Sequence, residues 1–91
     1  MQVHEVQLDQ PAFAVPFKSS YFTVEPDCET PIDSHSVHEM WMVARGQGEL
    51  LHDEKVFDIK PLDVFYLEPP KAHKARNTGR EPLVIFSVWW K

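Results

Sequence analysis

The sequence predicts an all-β fold, a single jelly-roll β-barrel, on three observations. Turn-forming clusters recur at short intervals: Glu25-Pro26-Asp27, Arg45-Gly46-Gln47-Gly48, Asp53-Glu54-Lys55, Lys60-Pro61-Leu62-Asp63, Glu68-Pro69-Pro70-Lys71 and Asn77-Thr78-Gly79-Arg80. Between them lie short runs rich in Val, Ile, Phe, Tyr and Trp, with no sustained helical periodicity, the pattern of a sandwich or barrel. Eight prolines would interrupt most helices that could be drawn.

The elements follow in order. Val3–Leu8 is a candidate edge strand within an N-terminal arm covering residues 1–20; Gln10-Pro11 and Val15-Pro16 break that arm, and Lys18-Ser19-Ser20 reads as loop. Tyr21–Val24, Met40–Val43, Glu49–His52, Val56–Ile59 and Val64–Leu67 are strand-length apolar runs bounded by turns. A further extended stretch, His73–Asn77, follows the Pro69-Pro70 turn. The last run, Leu83–Trp90, is apolar at nearly every position, whereas a strand with one wet face would alternate. Both of its faces need cover, and Met40 and Met42 add apolar surface on a neighbouring outward parity. Uncovered, such a patch marks an interface, which predicts a homodimer.

Composition bounds the function. The 91 residues make one domain, 1–91, just large enough for one core, and 43% hydrophobic with 12% aromatic content is too apolar for a disordered chain. A net charge of −5 argues against a nucleic-acid partner, which needs a basic face. No apolar run approaches the roughly 18 residues of a membrane span. The start, Met-Gln-Val-His-Glu, lacks a secretory signal, and the lone Cys28 leaves no intrachain disulfide to form. A cytoplasmic location is the expectation.

The chemistry is concentrated in two segments. Asp33, His35 and Glu39 share one parity, so an extended Asp33–Glu39 strand would aim three potential metal ligands at one side. His73 and Asn77 share a parity in the second segment. Two His and two carboxylates converging from two strands would hold one divalent cation. The alternative for Asp33 is a hydrogen bond to a ligand His or to bound water. Trp41 and Val43 share the parity of Glu39 and point inward, where the Trp41 indole is either core or the wall of a ligand pocket; Ala75 and Asn77 do the same from the second segment. Tyr66 could carry a hydroxyl into that pocket. His38, on the opposite parity, faces away, while His4 and His52 have no partner in the sequence and read as surface residues. Arg45, Lys74 and Arg76 read as a solvated face.

These spacings resemble the cupin family. Its first motif runs Gly, five residues, His-x-His, three or four residues, Glu, six residues, Gly; Asp27 to Gly46 keeps that spacing through Asp33, His35 and Glu39, with Asp27 in place of the first Gly and Asp33 in place of the first His. The second motif ends in His, three residues, Asn, matched by His73 and Asn77, with Pro70 where a Gly is usual. The resemblance implies a metal site of His35, Glu39 and His73, with Asp33 as fourth member, beside the pocket that parity lines with Trp41, Tyr66 and Asn77. Two imidazoles and two carboxylates favour Fe(II), with Mn(II), Zn(II) or Ni(II) as alternatives. It also implies an enzyme acting on a small oxygen-rich metabolite, as a dioxygenase or as an isomerase, epimerase or lyase, with Asp33 or Glu39 as the base. The competing readings are a non-catalytic small-ligand sensor, metal-assisted or metal-free, and a structural dimer with a vestigial site. In many small cupins the N-terminal strand joins a partner subunit, a role open to residues 1–20.

Overall fold

Eight strands and no helix make up the described residues, 3–8 and 16–91, of this computed structural model. They are β1 (Val3–Leu8), β2 (Lys18–Val24), β3 (His38–Arg45), β4 (Gly48–His52), β5 (Lys55–Ile59), β6 (Val64–Leu67), β7 (His73–Asn77) and β8 (Leu83–Trp90). The breaks expected at Gln10-Pro11 and Val15 lie outside the described residues. No helix among these residues is long and apolar enough to cross a membrane.

The strands form two antiparallel sheets in jelly-roll order, β1-β2-β8-β3-β6 and β5-β4-β7. Register decides which side chains face inward. Phe22 opposes Ile85, and Trp41 opposes both Ser87 and Phe65, so one parity of each strand enters the space between the sheets. Phe22, Val24, Trp41, Val43, Leu50, Ile59, Leu67, Ala75, Leu83 and Ile85 fill it. Strand β8 is central to its sheet, paired with β2 and β3; its Leu83, Ile85 and Ser87 are buried between the sheets, while Val84, Phe86 and Val88 on the other parity stay half-exposed. β2 begins at Lys18, so Lys18-Ser19-Ser20 is strand rather than loop: Ser19 and Ser20 pair with Val88 and Ser87 of β8.

Turn chemistry follows the backbone. Asp53 and Glu54 both adopt positive φ (51° and 69°), the two-residue hairpin geometry whose twist suits β4 and β5. Gly46 sits at φ 84°, and a Cβ there would lie 2.4 Å from the Pro82 carbonyl oxygen. Asp27 takes φ 64°, a left-handed conformation that Gly adopts freely and Asp tolerates better than most residues.

The extended stretch expected across Asp33–Glu39 is interrupted. Asp33 forms an isolated bridge with His73, its N–H donating to the His73 carbonyl (3.0 Å) and its carbonyl accepting in return (2.9 Å). The backbone then bends at Ser36-Val37 before β3 starts at His38. Common parity on one strand is therefore not what groups Asp33, His35 and Glu39.

Asn77, expected in the ligand pocket, is instead a fastener between the sheets. Its side chain is fully buried and donates to the carbonyls of Val24 in β2 (2.8 Å) and Glu81 (2.7 Å), while its Oδ1 accepts from the Gly79 N–H (2.8 Å). Every polar position of the amide is engaged by backbone. Asn77→Ala should cost about 2–4 kcal/mol in urea denaturation, because it strands buried carbonyls, while leaving metal uptake by the folded protein unchanged.

Candidate metal centre

The site lies at one end of the barrel, built from three pieces of chain. Glu39 projects inward from β3. His73 opens β7, and the reciprocal bridge described above holds Asp33 directly beside it. The segment before Asp33 is tied to β7 as well, since Thr30 pairs with Ala75 through its N–H (2.9 Å) and through its hydroxyl, which accepts from the Ala75 N–H (2.9 Å). His35 sits on the loop between the bridge and β3.

These residues meet. Donor atoms of Asp33, His35 and His73 all lie within 4.8 Å of one another. Glu39 falls outside that mutual grouping, yet its Oε1 lies 2.7 Å from His35 Nε2 and 3.4 Å from His73 Nε2. Its other oxygen, Oε2, accepts from Trp41 Nε1 (2.8 Å) and from the Ser87 hydroxyl. The carboxylate is thus clamped on one side and turned toward both imidazoles on the other. The far nitrogens are oriented too: His35 Nδ1 lies 2.9 Å from the Val37 carbonyl and His73 Nδ1 3.4 Å from that of Lys71. Backbone carbonyls there favour the tautomer that leaves each Nε2 for a cation. Two oriented imidazoles, one clamped carboxylate and the more exposed Asp33 carboxylate suit a divalent ion of intermediate hardness.

Electrostatics show how strongly these groups interact. Burial opposes the charge on Glu39, but hydrogen bonds from His73, Ser87, Trp41 and His35 outweigh it and bring its pKa from 4.5 to about 2. Burial likewise opposes a charged His35, and the Glu39 and Val37 hydrogen bonds, with the charges of Glu39 and Asp33, outweigh it and raise its pKa above 6.5.

Two hollows flank the cluster, with Glu5, Asp33 and Glu39 in the lining of both. One, of about 170 Å³, is lined by Val3, Glu5, Phe22, Thr30, Asp33, Glu39, Trp41 and His73. The other, of about 260 Å³, is lined by Glu5, Gln7, Asp33, His35, Val37, Glu39 and Trp89. A larger hollow of about 550 Å³ near Phe17, Trp89 and Trp90 has neither His nor carboxylate in its lining and is not where the chemistry is.

Trp41 is both core residue and cavity lining. It is buried against Phe22 (ring centroids 5.2 Å apart), stands edge-on to His73 (5.2 Å) and forms part of the cavity wall. Tyr66 does not enter the pocket. Leu67 and Phe65 take the inward parity of β6, so Tyr66 faces outward, its hydroxyl on His38 Nδ1 and its ring stacked with His38 and Trp90. Asn77 lies four residues along β7 from His73, roughly 13 Å by strand rise, and lines neither hollow among the described residues. His52 is not a free surface residue either: it opposes His73 in the ladder, and its buried Nε2 has no hydrogen-bond partner among the described residues. Lys74 and Arg76 both bind Glu29 (3.0 Å each), away from the cluster.

Sequence reasoning missed Glu5, Ser87 and Trp89. Ser87 had a signal, as a hydroxyl on the inward parity of an otherwise apolar strand. Glu5 had none, because nothing in Val3–Leu8 says which parity faces the site.

Known proteins place the chain. The cupin-domain family model matches residues 20–89. The chain is 32% identical over 73 residues to the alginate biosynthesis protein AlgA of Pseudomonas putida, an overlap of 79% of this chain and 15% of AlgA. It is 32% identical over 75 residues to auxin-binding protein 1 of Arabidopsis thaliana, covering 72% of this chain and 38% of that protein. The chain therefore spans well under half the length of both relatives. Among solved structures, a cupin 2 conserved barrel domain protein of Salinispora arenicola superposes with a TM-score of 0.89 at 27% identity, covering 98% of this chain and 76% of that one. A cupin 2 domain-containing protein of Halorhodospira halophila gives 0.86 at 32% identity, covering 96% and 63%.

The titration of the cluster predicts a pH profile for metal-free protein. The depressed Glu39 pKa contributes about 3 kcal/mol that is fully present above 4.5 and lost as pH falls toward 2. The raised His35 pKa contributes stability that is complete below 6.5 and lost as pH rises through the raised value. Chemical denaturation across pH 2–9 should show both losses, and Glu39→Gln should remove the acid loss and reduce the His35 one, since Val37 and Asp33 still act on His35.

Proposed function

We propose that this chain, which belongs to the cupin family, is a metal-dependent enzyme acting on a small oxygen-rich metabolite in the cytoplasm. The observation that carries the reading is the convergence of His35 Nε2 and His73 Nε2 on one Glu39 oxygen, with Asp33 in reach of both imidazoles. Asp33, His35, Glu39 and His73 would hold the ion. A bound divalent metal, Fe(II) by preference with Mn(II), Zn(II) or Ni(II) as alternatives, supplies Lewis-acid or redox chemistry to substrate oxygens. Trp41 forms a flat wall for the substrate, and its N–H keeps the Glu39 carboxylate oriented. Asp33, exposed and outside the Trp41–Ser87 clamp, is better placed than Glu39 to accept a proton. The free Cys28 thiol accords with a reducing compartment.

Metal identity separates the reactions. Elemental analysis of anaerobically purified protein should give about one ion per chain; iron selects a dioxygenase, and manganese or zinc an isomerase, epimerase or lyase. His35→Ala and His73→Ala should each abolish stoichiometric binding, and Asp33→Ala should weaken it less. One tight ion retained by the double His variant would reject the site. A second reading, a non-catalytic ligand-binding module, draws support from the auxin-binding protein, a relative named for a ligand rather than a reaction; metal-free protein that still binds small molecules would favour it.

We also propose that two copies pair through the outer face of the five-stranded sheet. Register lines up Val6, Tyr21, Phe86, Met42 and Val64 across all five strands, and beside them Leu8, Ser19, Val88, Met40 and Tyr66. Neither rank contains Lys, Arg, Asp or Glu, although a quarter of the chain is charged. Two copies of net charge −5 can meet there without opposing like charges. Five strands of about seven residues give roughly 500 Å² of sheet before side chains add relief, near the roughly 600 Å² per partner of the smaller stable interfaces. Sedimentation at low micromolar concentration should give a dimer that Met40→Lys/Met42→Lys dissociates; a wild-type monomer would reject the pairing.

A further inference from the structure

We infer that Glu5 is the specificity-determining residue of the ligand cavity, selecting an uncharged hydroxyl-bearing molecule over a carboxylate or phosphate. The inference rests on the metal-assisted site proposed above and concerns what that site accepts. Glu5 opposes Phe22 in the β1–β2 ladder, which turns its side chain to the inner face of the sheet. It contributes to both hollows beside the cluster, in company with Asp33 and Glu39 each time. Its position is fixed from below: the fully buried Ser20 hydroxyl donates to Glu5 Oε2 at 2.9 Å. One carboxylate oxygen is thus anchored, leaving the other as the acceptor that a ligand hydroxyl would meet.

Charge makes the argument specific. Three carboxylates line the two hollows, and no Lys or Arg does so among the described residues. A divalent ion held by Asp33 and Glu39 is neutralised by them, so Glu5 remains as an uncompensated negative charge on the ligand's side. Lys74 and Arg76, which might have balanced it, are committed to Glu29 on the outside. An anionic ligand would meet a like charge, whereas a hydroxyl gains a carboxylate acceptor, a stronger hydrogen bond than to a neutral one. Selection of this kind works by penalising the wrong ligand as much as by rewarding the right one.

The test uses the full chain loaded with Mn(II), whose content is measured first, with oxalate as the anionic probe and erythritol as the neutral one. Binding of each is followed by the Mn(II) electron paramagnetic resonance signal. Glu5→Gln keeps size and the Ser20 contact, so it should tighten oxalate about tenfold, the order expected for removing one nearby charge, and weaken erythritol. Ser20→Ala should shift both affinities in the same directions by less. Glu54→Gln, which removes an exposed charge at the β4–β5 turn, should change neither. Oxalate affinity unchanged by Glu5→Gln in fully loaded protein, or changed equally by Glu54→Gln, overturns the role of Glu5 alone. Wild-type protein that takes up no manganese overturns the metal-site reading, and the selectivity with it.

Discussion

Glu39 is the constraint on which the rest of the site depends. A carboxylate with its side chain only 13% exposed is costly unless its oxygens are matched with donors. Here Trp41 and Ser87 satisfy one oxygen, and the two imidazoles satisfy the other. Each donor comes from a different surrounding: Trp41 from the same strand, Ser87 from the neighbouring β8, His73 from the opposite sheet and His35 from the loop. The buried charge therefore ties together four parts of the fold at the open end of the barrel, where apolar packing between the sheets gives out. A cation of charge two placed between the imidazoles would take over the role that the His35 proton plays beside Glu39 in its absence. That exchange is why metal affinity in such a site should rise with pH through the His35 titration.

The contrast with Asn77 separates structural from chemical polarity. Both residues are polar and mostly buried, and both lie on inward parities. Asn77 spends its donors and its acceptor on backbone groups, so nothing remains for a ligand. At the cluster, side chains engage each other through atoms that a cation can also engage. Asp33 adds a carboxylate with few constraints.

Much of the fold could be read in the sequence, because strand signals are local. Turn clusters and strand-length runs locate the eight strands to within three residues. Lys18–Ser20 was misread because two serines after a lysine look like loop; only pairing to Val88 and Ser87 makes them strand. In the site, spacing grouped Asp33, His35, Glu39 and His73, but for an incomplete reason: the bend at Ser36-Val37 and the Asp33–His73 bridge do the positioning, and the bridge is non-local. Tyr66 failed on register, since the Glu68-Pro69 turn hides which parity of β6 faces inward. Glu5 was invisible because its relevance comes from pairing between β1 and β2, which no spacing in a single strand reveals.

Strand β3 has one more consequence. Its alternate residues serve opposite surfaces: Glu39 and Trp41 face the cluster, while Met40 and Met42 face outward. It is also hydrogen-bonded on both sides, to β6 and to β8. A single-residue insertion or deletion within it would exchange the two sets, exposing the carboxylate and driving methionines into the cavity. Elsewhere the ladder has some slack, as the irregularity between Val43 and Arg45 shows. That irregularity comes after the inward-facing residues, so a change of length near the Gly46 turn leaves the Glu39–Val43 register intact. Homologous variation in length should accordingly collect at the β3–β4 end and be absent between His38 and Val43.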